Sequence, residues 1–169
     1  MKAARLETVL EESKPGPDGL EEVEFRFSAN PGQPLRALAK VASGGELSRV
    51  SLAIQVICAR NLTVPSLVFD EVDVGVGGGV AEIVGRLLRE LGEHAQVLCI
   101  THQPQVAAQG HQHWQVHKIQ GKDTTHTRIQ SLDTGARVEE VARMLGGVEI
   151  TESTLTHARE MLDKGQRVA

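Results

Sequence analysis

In the stretch EEVEFRFS (residues 21–28), Val23, Phe25 and Phe27 alternate with Glu24, Arg26 and Ser28. That is the two-residue period of a strand with one buried face. The preceding KPGPDGL (14–20) holds two prolines and two glycines, a connector that predicts a hairpin with residues 4–12. Its first arm reads equally as a strand or as the end of a helix. NPGQP (30–34) is a loop. After LRALAKVA comes SGGE, where Ser43 and Glu46 have the spacing of a capping box that opens a helix. Leu47, Val50, Ile54 and Ile57 then recur at helical spacing, predicting an amphipathic helix over residues 44–60 with these four facing inward.

Past Pro65 the pattern becomes a short apolar strand ending near Phe69. A helix over roughly 78–92 follows, with Val80, Val84, Leu87 and Leu91 inward, and then a second apolar strand, AQVLCI (95–100). Two apolar strands joined by a helix predict a βαβ unit with parallel strands and a right-handed crossover. Pro104 opens a short helix. HQHWQVHKIQ and THTRIQSL read as two strands around GKD, and two helices, near 135–145 and 151–164, close the chain on either side of a Leu-Gly-Gly stop. The fold class expected is α/β: a mainly parallel sheet flanked by helices, with an antiparallel hairpin near the amino terminus.

Composition narrows this picture. The 169 residues suit one domain, with 40% hydrophobic and only 2% aromatic residues, so the core must come from Val, Leu, Ile and Ala. A net charge of −4 excludes a strongly basic nucleic-acid binder, leaving any such contact to a local patch or to parts outside this chain. Cys58 and Cys99 each lie in an apolar run without a partner at metal-ligand spacing, which reads as two buried free thiols in a reducing compartment. No signal peptide or membrane-length apolar span is visible, so the expected location is cytoplasmic with no membrane partner.

The chemistry concentrates in SLVFDEVDVGVGGG (66–79), where a core strand runs into adjacent carboxylates, Asp70 and Glu71, and then into four glycines. Ligands of α/β sheets bind at the carboxyl ends of parallel strands. A hard cation such as Mg²⁺ takes oxygen ligands, so Asp70 could hold it while Glu71 orients a water. An acidic pair opening a solvated loop explains the same residues. The second strand ends CITHQ, which places His102 at the same sheet edge, able to donate to a phosphate oxygen. The Ser-Gly-Gly before the first long helix offers bare N–H groups to an anion, although a capping box needs no ligand. No phosphate-cradling Gly-Lys-[Ser/Thr] loop exists: Gly121-Lys122 is followed by Asp123. Two acids without that lysine make half of a polyphosphate site.

SGGELSR, LVFDEVDVG and CITHQPQVA, in this order and separation, resemble the signature motif, Walker B strand and switch-histidine segment of ABC-type ATPase heads of the SMC branch. The longer strings SANPGQP, KVASGGELSR, FDEVDVGVGG and GHQHWQVHK resemble the carboxyl-terminal half of SMC-like bacterial proteins of DNA double-strand-break repair. The resemblance runs from about residue 16 to 165 and implies a carboxyl-terminal lobe whose phosphate cradle lies on a separate amino-terminal Walker A lobe. It further implies ATP and Mg²⁺ as cofactors, with Asp70 on the metal, Glu71 as general base and His102 on the γ-phosphate. Ser43, Gly44, Gly45 and Glu46 would meet the γ-phosphate of ATP held by a second head, so that ATP joins a homodimer. Val74–Gly78 takes the place of the D-loop. Many relatives carry an Asp near Gly77, so backbone from Gly75, Gly77 and Gly78 must serve there, unless the glycines only allow a tight turn. Asp73 is left without a role, facing a partner head or solvating the loop. DNA would be met through the full-length protein, nucleoid-associated in a bacterium.

The expected layout is a single domain over 1–169: a hairpin over 1–30, the signature, Walker B and switch-histidine core over 40–120, and the terminal strand and helices over 121–169. Alternatives are a head lobe from a chromosome-organising SMC-like protein, a metal-dependent nuclease or phosphatase using Asp70 and Glu71 directly, and a non-catalytic docking module. His111, His113 and His117 alternate along one predicted strand, without a fourth ligand, and read as an exposed polar face. Trp114 points the other way and reads as packing.

Overall fold

The computed structural model describes residues 4–17, 19–40, 44–61, 64–70, 73, 75–121, 124–146 and 149–166. These form two compact units, 1–53 and 54–169, with the helix α1 (Gly44–Asn61) running through the division.

The first unit is built on the predicted hairpin. β1 (Arg5–Gly16) is a strand, which resolves the ambiguous arm, and it pairs antiparallel with β2 (Gly19–Ser28). The register sets Leu6 opposite Phe27, Thr8 opposite Phe25 and Leu10 opposite Val23, so the alternation gathers these side chains on one face. Arg26, on the other face, pairs with Glu11 and Glu24. β3 (Arg36–Ala37) extends the sheet beside β2, and a single 3₁₀ turn, Leu38–Lys40, follows. Phe27 and Ser28 are buried. Leu6, Leu10, Val23 and Phe25 are exposed, so most of the hairpin's apolar face has no cover.

α1 begins where the capping-box spacing placed it, but its buried face is rotated from the predicted one. Val50, Leu52, Val56 and Ala59 are buried, whereas Leu47 and Ile57 are exposed. A stripe of four apolar residues defines a helix without choosing which flank meets the core when the helix is apolar on more than one side.

The second unit contains the predicted βαβ. β4 (Ser66–Asp70) and β5 (Gln96–Ile100) are parallel, joined by α2 (Gly79–Leu91). Parallel pairing is confined to these strands among the described residues. Their register alternates two faces: Leu67, Phe69, Val97 and Cys99 on one, Val68, Leu98 and Ile100 on the other. The first face is wholly or partly buried, but Val68 is 66% exposed and Ile100 58%. The strands read as buried on both sides, and only one side is covered here.

On the covered side α2 buries Ala81, Val84, Leu88 and Leu91. Gly85 lets it approach the short helix α3 (Pro104–Ala107) closely, since a Cβ there would stand 2.7 Å from Gln109 Cγ and 3.0 Å from Val106 Cα. β6 (Trp114–Gln120) and β7 (Thr125–Ser131) form an antiparallel pair. α4 (Thr134–Gly146) and α5 (Glu152–Gln166) close the unit around a core of Ala108, Val141, Ala142, Ala158 and Leu162. Such small and aliphatic residues are what a chain with 2% aromatics has available. Among the described residues no helix is long and apolar enough to cross a membrane.

Candidate functional site

The site is set by how β4 and β5 end. The last paired residues are Asp70 and Ile100, so the chain leaves both strands at the same edge. Asp70 is exposed there. After β5 the chain turns through Thr101, His102 and Gln103 before Pro104 begins α3.

Three residues beyond Asp70, Asp73 is fully buried, at 0% exposure. Its Oδ2 accepts hydrogen bonds from the Thr101 hydroxyl, from His102 N at 3.2 Å and from Gln103 N at 3.2 Å. A carboxylate is suited to this because it can accept several donors at once. Its Oδ1 stands 3.5 Å from His102 Nδ1. That is within ion-pair range but longer than a hydrogen bond, and Oδ1 has no hydrogen-bond partner among the described residues. The Gln103 amide nitrogen donates to Val76 O at 3.0 Å and lies 3.2 Å from His102 Nε2. The loop after β4 and the turn after β5 are therefore laced together around the imidazole, which is itself 68% exposed.

The glycine run serves the backbone. Gly75 and Gly78 have φ of 72° and 53°, and Gly77 does not share the left-handed conformation. Gly78 stands as the N-cap of α2 with no side chain to cap it. A side chain would be strained at these two positions, although open space surrounds Gly78.

No family model matches the chain. Over 158 residues, 94% of its length, it is 54% identical to the DNA repair protein RecN of Vibrio cholerae. By sequence, the chain is homologous to RecN proteins over most of its own length. It spans 28% of that relative's length. In three dimensions it resembles a chain solved in work on ATP-driven dimerization and DNA-stimulated activation of SMC ATPases. The TM-score is 0.64 at 16% identity, covering 86% of this chain and 84% of that one. It also resembles the Smc head domain with coiled coil and joint from Pyrococcus yayanosii, with a TM-score of 0.62 at 19% identity, covering 82% of this chain and 25% of that one. The fold is that of an SMC head.

Of the residues singled out in this RecN-type sequence, Ser43 and Glu71 lie outside the described residues. Asp70 and His102 come to one sheet edge. Gly44, Gly45 and Glu46 form the first turn of α1, whose N-terminus offers backbone N–H groups to an anion. Asp70, exposed at a strand tip, fits a Mg²⁺ ion that asks the protein for one or two carboxylates and keeps waters elsewhere. Among the described residues no cluster of three or more His, Cys, Asp or Glu could hold a metal unaided.

Thr101 and Gln103 were missed, and Asp73, left without a role, is buried against their turn rather than solvating the loop. No local signal marks these contacts, because Asp73 meets Thr101, His102 and Gln103 across 28 to 30 residues of sequence. The RecN-type histidine segment also differs from its reading as a strand face. β6 starts at Trp114, so His111 and His113 precede it, and His111 lies 3.2 Å from Glu93 Oε1. Trp114 is 54% exposed rather than packed.

The cysteines separate as well. Cys58 is exposed, not buried. Burial pushes the Cys99 thiol up to about 11, with Asp73 and Asp70 adding to the rise. Since the thiolate is the nucleophile, iodoacetamide at pH 8 should modify Cys58 at least about ten-fold faster than Cys99. Raising the pH toward 11 should bring Cys99 in. Peptide mass spectrometry checks this, and equal rates at pH 8 would contradict the assigned environment of Cys99.

Proposed function

We propose that this chain is the carboxyl-terminal lobe of an ATP-binding and hydrolysing head of SMC type, working in the repair of DNA double-strand breaks. The observation that carries the reading is the shared edge: Asp70 and His102 leave neighbouring parallel strands together, and Asp73 ties the two exits to each other. A triphosphate site needs an acidic strand tip and a phosphate-facing donor side by side.

Asp70 would hold Mg²⁺, which when bound neutralises charge on the β- and γ-phosphates. Glu71 would orient a water toward the γ-phosphate and accept its proton. The His102 imidazole would donate to a γ-phosphate oxygen. The helix start at Ser43, Gly44, Gly45 and Glu46 would meet ATP carried by a second head, with backbone from Gly75, Gly77 and Gly78 lining the crossing between the two. The ATP-driven dimerization named for the SMC ATPase relative supports a nucleotide-joined pair of heads.

The phosphate cradle is assigned to an amino-terminal lobe of the same parent protein, for which the relatives' greater length leaves room. The uncovered apolar faces have the character of surfaces that another polypeptide covers: Val68, Leu98 and Ile100 in one unit, Leu10, Val23 and Phe25 in the other. DNA would be engaged through the full-length protein, in the bacterial cytoplasm at the nucleoid.

Mixing this chain with the matching amino-terminal lobe tests the division of labour. Each part alone should turn over no MgATP, and the mixture should. Hydrolysis by this chain alone at the rate of an intact head, or none from a mixture that demonstrably associates, would overturn it.

A further inference from the structure

The family motifs account for Asp70, Glu71 and His102 but assign nothing to Asp73, the most completely buried acid among the described residues, or to Gln103. We propose that Asp73 is a positioning residue for His102, and that Gln103 ties the same imidazole to the glycine-rich loop. This rests on His102 acting at the γ-phosphate.

Burying a carboxylate is costly unless its oxygens are satisfied. Oδ2 is fully used by the turn at Thr101, His102 and Gln103, whereas Oδ1 has no hydrogen bond among the described residues. His102 Nδ1, at 3.5 Å, is the group that can supply one. Closing that gap to about 2.9 Å requires only a small ring movement and satisfies the acid. The consequence for the imidazole is directional. A proton held on Nδ1 toward the buried acid fixes the ring plane and turns Nε2 outward.

Nε2 meets the Gln103 side-chain nitrogen at 3.2 Å, and that nitrogen also donates to Val76 O at 3.0 Å. Gln103 thus occupies the Nε2 edge of the ring, which a phosphate oxygen would need. A phosphate oxygen can accept from Nε2 only when that nitrogen carries a proton as well as Nδ1, and it must then displace Gln103, whose side-chain nitrogen keeps its bond to Val76 O. Occupancy of the ring is in this way felt by the loop between β4 and α2. Asp73 fixes where the ring points, and Gln103 passes its state to the loop.

A double-mutant cycle in the full-length protein tests the positioning role. Asp73→Asn keeps the shape and one acceptor but loses the charge, and should lower kcat for ATP by about 10- to 100-fold with little change in KM. Combined with His102→Ala it should add nothing, because its effect passes through the ring. In the 169-residue chain itself, ¹⁵N spectra of His102 should show the proton on Nδ1, and Asp73→Asn should shift the tautomer. Gln103→Leu leaves the buried acid untouched and should weaken the response of the loop amides at Val76 to ATP, so the coupling can be read even if Asp73→Asn fails to fold. Losses that simply add, a wild-type kcat in Asp73→Asn, or an unaltered tautomer would overturn the positioning role. Loop amides that respond unchanged in Gln103→Leu would overturn the coupling. A wild-type protein that does not hydrolyse ATP, or His102→Ala at full rate, would instead overturn the reading of the site on which both depend.

Discussion

Replacing Glu71 by Gln in the full-length protein is expected to reduce ATP hydrolysis by about 10²- to 10⁴-fold, the range that a positioned general base contributes. Gln keeps the size of the side chain and one acceptor oxygen, so a water can still be bound, but the amide cannot take its proton. Nucleotide binding and ATP-dependent association of heads should persist or strengthen, because the bound state is no longer discharged by hydrolysis. The residues on either side in sequence support this assignment: Asp70 ends β4 at the shared edge, and Asp73 is anchored to the turn that carries His102. Steady-state turnover and the fraction of protein in the dimer, measured on the same preparation, decide the matter. An unchanged rate would favour a docking module, while DNA cleavage by the chain with Mg²⁺ or Mn²⁺ would favour a nuclease.

Arg137→Met is expected to lower the stability of the chain by about 2–4 kcal/mol, the order of several lost charge-assisted hydrogen bonds less the desolvation of the charge itself. Arg137 lies on α4 and is nearly buried, and its guanidinium donates to the carbonyls of Ala107, Ala108, Gly110 and His111. These carbonyls crowd the end of α3 and the turn leading to β6. Burial pushes the arginine below its ordinary value, and the nearby Arg89 adds to this. The two cations share one task, since Arg89 Nη1 donates to Gln109 O at 2.7 Å. Methionine fills much of the volume but satisfies none of the carbonyls. Lysine should rescue only part of the loss, because a point charge cannot span acceptors that a planar fork reaches together. Urea unfolding measures it, and a midpoint within error of the wild type would show that the carbonyls find other donors.

This second effect could not have been anticipated from sequence, where Arg137 stands among acids on a helix and reads as part of a solvated face. Its partners are 26 to 30 residues away. Asp73 is the same case, with partners 28 to 30 residues distant. A lone acid in a glycine-rich loop carries no periodicity, and nothing within a turn of it announces that it will be buried.

What the chain by itself determined is the order and kind of its elements. The alternation at Val23, Phe25 and Phe27, the capping spacing at Ser43 and Glu46, and the apolar runs around α2 were enough to predict β2, the start of α1 and the parallel pairing of β4 with β5. Those features arise from backbone sterics and side chains a few residues apart, and the hand of a βαβ crossover follows from strand twist. The tertiary structure decided which faces are covered and which polar groups are enclosed: the rotated stripe of α1, the bare face of Val68 and Ile100, and the enclosure of Asp73 against the histidine turn. Burial is a property of distant segments meeting, so local pattern can propose a face, but only the packed neighbours select it.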